Sequence, residues 1–274
     1  MLGSIAVLAT LLCTSPSAER PPNVILVLAD DLGWNEVGAY GQRKIRTPNM
    51  DRLAREGMRF TDHYSGSTVC APSRCVLMTG KHTGHAVVRA NWENGGWGET
   101  EPEGQYPLPD DEVTIAEVFK GAGYATGCYG KWGLGGPETE GHPNRQGFDE
   151  FVGYLCQRRA HNFYPTHLWR NGDKLELGNP YHTGHEKITE PLESEQAYLD
   201  RWSKGTYACD VMRDAAVQFI HDHADEPFFI YYPSLIPHVA IQVPNEETEA
   251  YPREWDPEPY LGQQGYIPHG RPNA

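Results

Sequence analysis

The first strong hydrophobic signal is an unbroken apolar run over residues 23–29 (NVILVLA), rich in β-branched side chains. Such a run predicts a central strand covered on both faces, because a strand with one wet face would alternate apolar and polar positions. It ends in Asp30-Asp31, two carboxylates at the carboxyl edge where open α/β sheets carry their sites. Thr47-Pro48 then opens a short helix through Met50, Leu53 and Ala54 that stops at Gly57. Residues 70–80 read as a loop entering a second helix. Residues 113–120 predict a third, with Gly121 and Gly123 as its exit, and residues 125–129 a strand after it. The longest helical pattern covers residues 207–224, with Val211, Ala215, Ala216, Phe219 and Ile220 on one side, and leads into an apolar strand over 228–232.

This alternation of strands and helices predicts an α/β fold with a mainly parallel central sheet and helices on both faces. Residues 133–205 have little periodicity and many turn residues, so they read as a long excursion over the edge that carries the site. Composition adds exclusions. The 274 residues are enough for one large domain, and 39% hydrophobic with 22% charged residues describes a globular chain rather than a disordered one or a membrane bundle. A balance of 23 Lys and Arg against 37 Asp and Glu gives a net charge of −14, without the basic footprint that a nucleic-acid partner requires. The apolar run at 2–13, followed by a small polar stretch, is too short to span a bilayer; it reads as a secretory signal over residues 1–18, with no stable membrane anchor. Its removal leaves Cys70, Cys75, Cys128, Cys156 and Cys209, and an odd number of cysteines in an exported chain points to one thiol with a separate job.

Two constellations carry candidate chemistry. Asp30-Asp31 is either a solvated acidic turn or one side of a hard-cation site for Ca²⁺ or Mg²⁺. Cys70 stands at the mouth of a helix with Arg74 one turn on, which suits either a reactive thiolate or a half-cystine paired with Cys75 or another cysteine.

The run CAPSRCVLMTG from Cys70 to Gly80 resembles the signature of the type I sulfatases, of the alkaline-phosphatase-like superfamily, in which the cysteine is oxidised to formylglycine. Further blocks resemble that family's landmarks in its order: Asn23-Val24-Ile25-Leu26 with Asp30-Asp31-Leu32-Gly33, Thr47 to Ala54, Gly123 to Thr126 with Gly130-Lys131-Trp132, and Gly147-Phe148-Asp149. The resemblance implies hydrolysis of aryl or carbohydrate sulfate esters in two covalent steps. A hydrated formylglycine at position 70, activated by one Ca²⁺ or Mg²⁺ ion, would attack sulfur and then collapse to expel sulfate. By similarity, Asp30, Asp31 and residue 70 would hold the metal, Arg74 would steady the nucleophile, and Lys131 would bind sulfate oxygens. The segment 227–233 followed by Pro237-His238 resembles the one whose histidine contacts sulfate, making His238 a candidate general acid. A formylglycine-generating enzyme would be a partner during maturation, and the substrate a sulfated small molecule or glycan met in the periplasm, the extracellular space or a secretory compartment. Phe163, Tyr164, Trp169, Arg158 and Arg159 are candidates for contacts to a sulfated sugar.

Two positions depart from the family pattern. Where most members carry histidine two positions after the lysine, this chain reads Gly130-Lys131-Trp132-Gly133-Leu134-Gly135-Gly136, so His161 becomes the candidate to complete the pocket. The family's metal site also uses an Asp-Asn pair, and no Asp-Asn dipeptide occurs in these residues. Residues 19–274 are therefore expected to form an N-terminal portion of a sulfatase domain, without the Asp-Asn-Gly metal strand and the C-terminal subdomain. The competing expectations are a phosphonate or phosphate ester hydrolase of the same superfamily, and an inactive fragment acting at most as a binding protein.

Overall fold

The computed structural model describes residues 20–95, 98–255 and 258–268, so the signal expected over residues 1–18 lies outside the described residues. Six strands form one sheet: β1 (Val24–Asp30), β2 (Ala125–Lys131), β3 (Glu150–Tyr154), β4 (His167–Arg170), β5 (Asp173–Glu176) and β6 (Phe228–Pro237), in the order β1-β6-β2-β3-β4-β5. The pairs among β1, β6, β2 and β3 are parallel, and β4 and β5 run antiparallel at the far edge, so the sheet is mostly parallel as expected. The longer helices are α1 (Pro48–Glu56), α2 (Cys70–Thr79), α3 (Ile115–Gly121), α4 (Glu195–Trp202) and α5 (Ala208–Asp222).

Local chemistry explains the starts and stops. Pro48 occupies the first turn of α1, and α3 opens with a reciprocal cap between Thr114 and Glu117. The turn after α2 closes on Gly80 at φ 66°, a left-handed conformation that glycine adopts without strain. Helix α5 buries Met212, Ala215, Ala216 and Phe219 against one face of the sheet, together with Tyr129, Ile230 and Phe228. The opposite face packs Cys75 and Met78 of α2 with Phe119, Phe148, Phe229 and Tyr231.

Three expectations need correction. Strand β1 is not central: among the described strands it stands at the edge, with Ile25 and Val27 exposed at 50% and 61% while Val24, Leu26 and Leu28 pack inward. An apolar run cannot say which strand lies beside it. Residues 70–80 contain no entry loop, because the helix begins at Cys70 itself. Residues 133–205 are not a structureless excursion, since they supply β3, β4, β5 and α4; strands of four or five residues are too short to show a period.

The antiparallel edge is tied to the preceding loop by a buried pair in which His167 Nε2 lies 2.8 Å from the Glu103 carboxylate. Burial works to raise the Glu103 carboxyl, but the bond from His167 holds it below its ordinary value of 4.5. Its contribution to stability is therefore complete above that ordinary value and is lost as the pH falls through the lowered one. Glu103→Gln is expected to cost about 1.5–3 kcal/mol near neutral pH and to flatten the acid limb of the stability profile. Urea melts at pH 7 and pH 4 check this, and an unchanged slope between them would reject the assignment.

Candidate active site

Parallel strands bring their carboxyl ends to one edge, and here three of them deliver polar groups to a common point. β1 ends in Asp30, β2 in Lys131, and β6 runs into His238, while α2 presents Cys70 from its first turn. Lys131 Nζ donates to Asp30 Oδ2 at 2.7 Å and lies 3.5 Å from Cys70 Sγ. The Cys70 thiol donates toward Asp30 Oδ1 at 3.6 Å. Arg74 Nη2 lies 3.4 Å from Asp30 Oδ2, and Nη1 donates to the Lys131 carbonyl, locking α2 to the end of β2. Asp30, Arg74 and Lys131 are buried, yet Cys70 opens onto a cleft of about 790 Å³ that Asp30, Asp31 and Arg74 also line.

Glycines permit this convergence. Gly130, at φ 145°, would drive a Cβ to 2.1 Å from the Pro233 carbonyl oxygen, and a Cβ at Gly153 would meet the Gly130 carbonyl oxygen at 1.9 Å. The glycine at 133 has a similar reason: at φ 76°, its Cβ would strike the Gln157 side chain at 2.7 Å. Gln157 therefore takes the space a side chain at that position would need.

The two adjacent aspartates are treated differently by the fold. Asp30 is buried, whereas Asp31 adopts φ 62° and its side chain is 63% exposed, 3.5 Å from His238 Nε2. Burial alone would raise the Asp30 carboxyl, but the Lys131 ammonium and the Arg74 guanidinium hold it below the usual carboxylate range. Burial also pushes the Cys70 thiol up, against the pull of Lys131. Burial thus works against the thiolate that the helix mouth suggested. Among the described residues the half-cystine alternative is not met, since Cys70, Cys75, Cys128, Cys156 and Cys209 form no disulfide with one another.

His238 and His161 stack in parallel, with ring centroids 4.7 Å apart and 8° between planes. His161 Nδ1 shares a hydrogen bond of 2.9 Å with His185 Nε2, and Tyr266 packs edge-on with the His161 and His238 rings and tilted against His185. Burial first, and then the Lys131 charge, hold His161 and His238 below their ordinary value, so both rings are neutral near pH 7. His185 and Tyr266 carried no motif, and neither did Asn91, whose Oδ1 accepts from the Ala71 amide at 2.8 Å and anchors the start of α2. The sugar contacts expected from Phe163, Tyr164 and Trp169 are not available: those rings are buried in the core, and Arg158 is paired with Glu93.

Ligand atoms of Asp30, Cys70 and His238 lie within 4.8 Å of one another, a cluster able to hold a metal ion. The Val239 carbonyl can only accept, so His238 Nδ1 donates to it and the Nε2 lone pair faces the Asp31 carboxylate. Two acceptors facing each other fit a cation between them. The oxygen donors of Asp30 and Asp31 suit a hard ion, although they supply only part of the six to eight ligands that Ca²⁺ takes.

A sulfatase family model matches residues 22–260. The chain belongs to the sulfatase family. It is 35% identical to human arylsulfatase A over 244 residues, which is 85% of this chain and 44% of that protein. Mouse steryl-sulfatase is 43% identical over 141 residues, 50% of this chain and 22% of the relative. The chain thus spans less than half the length of these relatives. The crystal structure of Ps i-CgsB in complex with k-i-k-neocarrahexaose superposes with a TM-score of 0.63 at 27% identity, over 85% of this chain and 49% of that one. The fold is accordingly the alkaline-phosphatase-like fold of sulfatases.

Proposed function

We propose that this sulfatase-family chain carries the nucleophile half of an exported sulfate-ester hydrolase in which Cys70 is converted to formylglycine by a formylglycine-generating enzyme. The observation that supports it best is the meeting of Asp30, Cys70, Arg74, Lys131 and His238 at one sheet edge, around the cysteine of the family signature. In this reading residues 19–274 are the N-terminal portion of the catalytic domain, and the substrate is a sulfated small molecule or glycan.

The residues divide the work by chemistry. Asp30, Asp31 and the oxygen of formylglycine at 70 would hold one Ca²⁺ or Mg²⁺ ion, with His238 Nε2 beside them; a bound ion supplies Lewis acidity and favours the ionised nucleophile. Lys131 offers its remaining N–H bonds to the equatorial oxygens of a sulfate seated over residue 70. Arg74, fixed by Asp30 and the Lys131 carbonyl, keeps residue 70 within reach of that ammonium. His238 would serve as the acid for the leaving oxygen only after taking up a proton at Nε2, because its Nδ1–H is held by the Val239 carbonyl. His161, stacked on it and held by His185, fixes the plane of that ring and closes the pocket.

The experiment is a paired assay of an aryl sulfate and an aryl phosphate on the complete protein, with mass spectrometry of the peptide around Cys70. Sulfate turnover well above phosphate turnover, on protein whose Cys70 has become the aldehyde, is expected. Preference for the phosphate would transfer the site to the phosphoryl branch of the superfamily, and an intact thiol in protein from a formylglycine-competent host would remove the hydrolase reading.

A further inference from the structure

A basic stretch of surface lies outside this site. Residues 43–59 contain Arg43, Lys44, Arg46, Arg52, Arg55 and Arg59 but only Asp51 and Glu56 among acids, in a chain whose net charge is −14. Four of these arginines, Arg43, Arg46, Arg55 and Arg59, line a cleft of about 590 Å³ between α1 and the turn before it. None of the four is ion-paired with a described carboxylate. The acid in the cleft wall, Asp51, is engaged by the Thr47 hydroxyl.

Clustering unpaired guanidinium groups raises local self-repulsion, which a bound polyanion relieves. Two of them are also oriented. The Arg46 and Arg59 guanidinium groups each lie 5.7 Å from a tyrosine ring centroid, Tyr251 and Tyr40 respectively. One Arg59 N–H is engaged by the Ala39 carbonyl, and the other N–H groups of the pair are left for a sulfate or carboxylate. The rest of the lining is mostly small or polar, with Gly38, Gln42 and Thr47, and Ile45 is its one large apolar side chain. Such a wall suits the hydroxyls and repeated anionic groups of a sugar chain better than a peptide, which needs a deep apolar anchor.

We propose that this arginine-lined cleft is a second binding site, for a linear anionic glycan bearing several sulfate or carboxylate groups. It recruits the chain by charge and is separate from the catalytic edge, so the hydrolase reading stands or falls independently of it.

The test is fluorescence anisotropy of the full chain, in a Cys70→Ala background that prevents turnover, with a labelled chondroitin sulfate hexasaccharide at low and high salt. A desulfated hexasaccharide separates sulfate from carboxylate recognition, and a poly-glutamate peptide of equal charge serves as the rival ligand. Binding that weakens with salt is expected, with an affinity loss of about tenfold or more in Arg43→Glu/Arg55→Glu. The conservative Arg43→Lys/Arg55→Lys, which keeps the charge and the exposed positions, is expected to retain most of it. No binding, binding unchanged by the charge reversal, an equal loss in Lys131→Met, or poly-glutamate binding as tightly as the glycan would each overturn the proposal. Thermal melts of the variants confirm that a loss of binding is not a loss of fold.

Discussion

Lys131→Met is expected to destabilise the protein by about 3 kcal/mol and to lower sulfate-ester turnover by roughly 10² to 10³. The ammonium stands 2.7 Å from a buried carboxylate, and its removal leaves Asp30 with Arg74, at 3.4 Å, as its remaining ion-pair partner among the described residues. The asymmetry of buried pairs gives a sharper form of the prediction. Removing both partners costs less than removing one, so Asp30→Asn added to Lys131→Met should recover much of the lost stability while recovering none of the activity. Urea unfolding of the two single variants and the double variant measures the cycle. Additive losses would mean that the pair is not coupled.

Cys70→Ala separates chemistry from stability in the opposite sense. The thiol makes only two long contacts, at 3.5 and 3.6 Å, and its side chain is partly open to the cleft, so the melting behaviour should change by no more than about 1 kcal/mol. Turnover should fall by on the order of 10⁴ or more, as expected when a nucleophile is deleted. Steady-state kinetics with the aryl sulfate, beside a melt of the same preparation, reads both. Substantial residual turnover would place the nucleophile elsewhere.

Much of this arrangement was legible in the residues. The apolar run before Asp30-Asp31, the helical stripe ending at Ile220 and the run after Pro227 are long enough for their patterns to speak, and they became a strand, a helix and a strand as expected. Motif order then singled out Cys70, Arg74, Lys131 and His238, which the fold brings together. What stayed hidden depended on contacts between distant segments. The edge position of β1 depends on which strands flank it, and the burial of Phe163, Tyr164 and Trp169 on strands too short to show alternation. His185, Tyr266 and Asn91 matter only through what they touch, and no spacing along the chain encodes a hydrogen bond from residue 185 to residue 161. Gly133 was visible as a departure, but its cause, the Gln157 side chain folded into the same space, was not.

The pairing of β1 with β6 joins the first described strand to the last, and the candidate metal cluster draws Asp30 from one and His238 from the segment after the other. Whatever binds there is therefore also a clasp between two strands that most of the described chain separates in sequence. Ligand and fold are linked through mass action, so occupancy of the site raises the cost of parting β1 from β6. Substitutions that loosen the β1–β6 ladder, far from any reacting atom, would then be felt first as weaker binding and only later as unfolding.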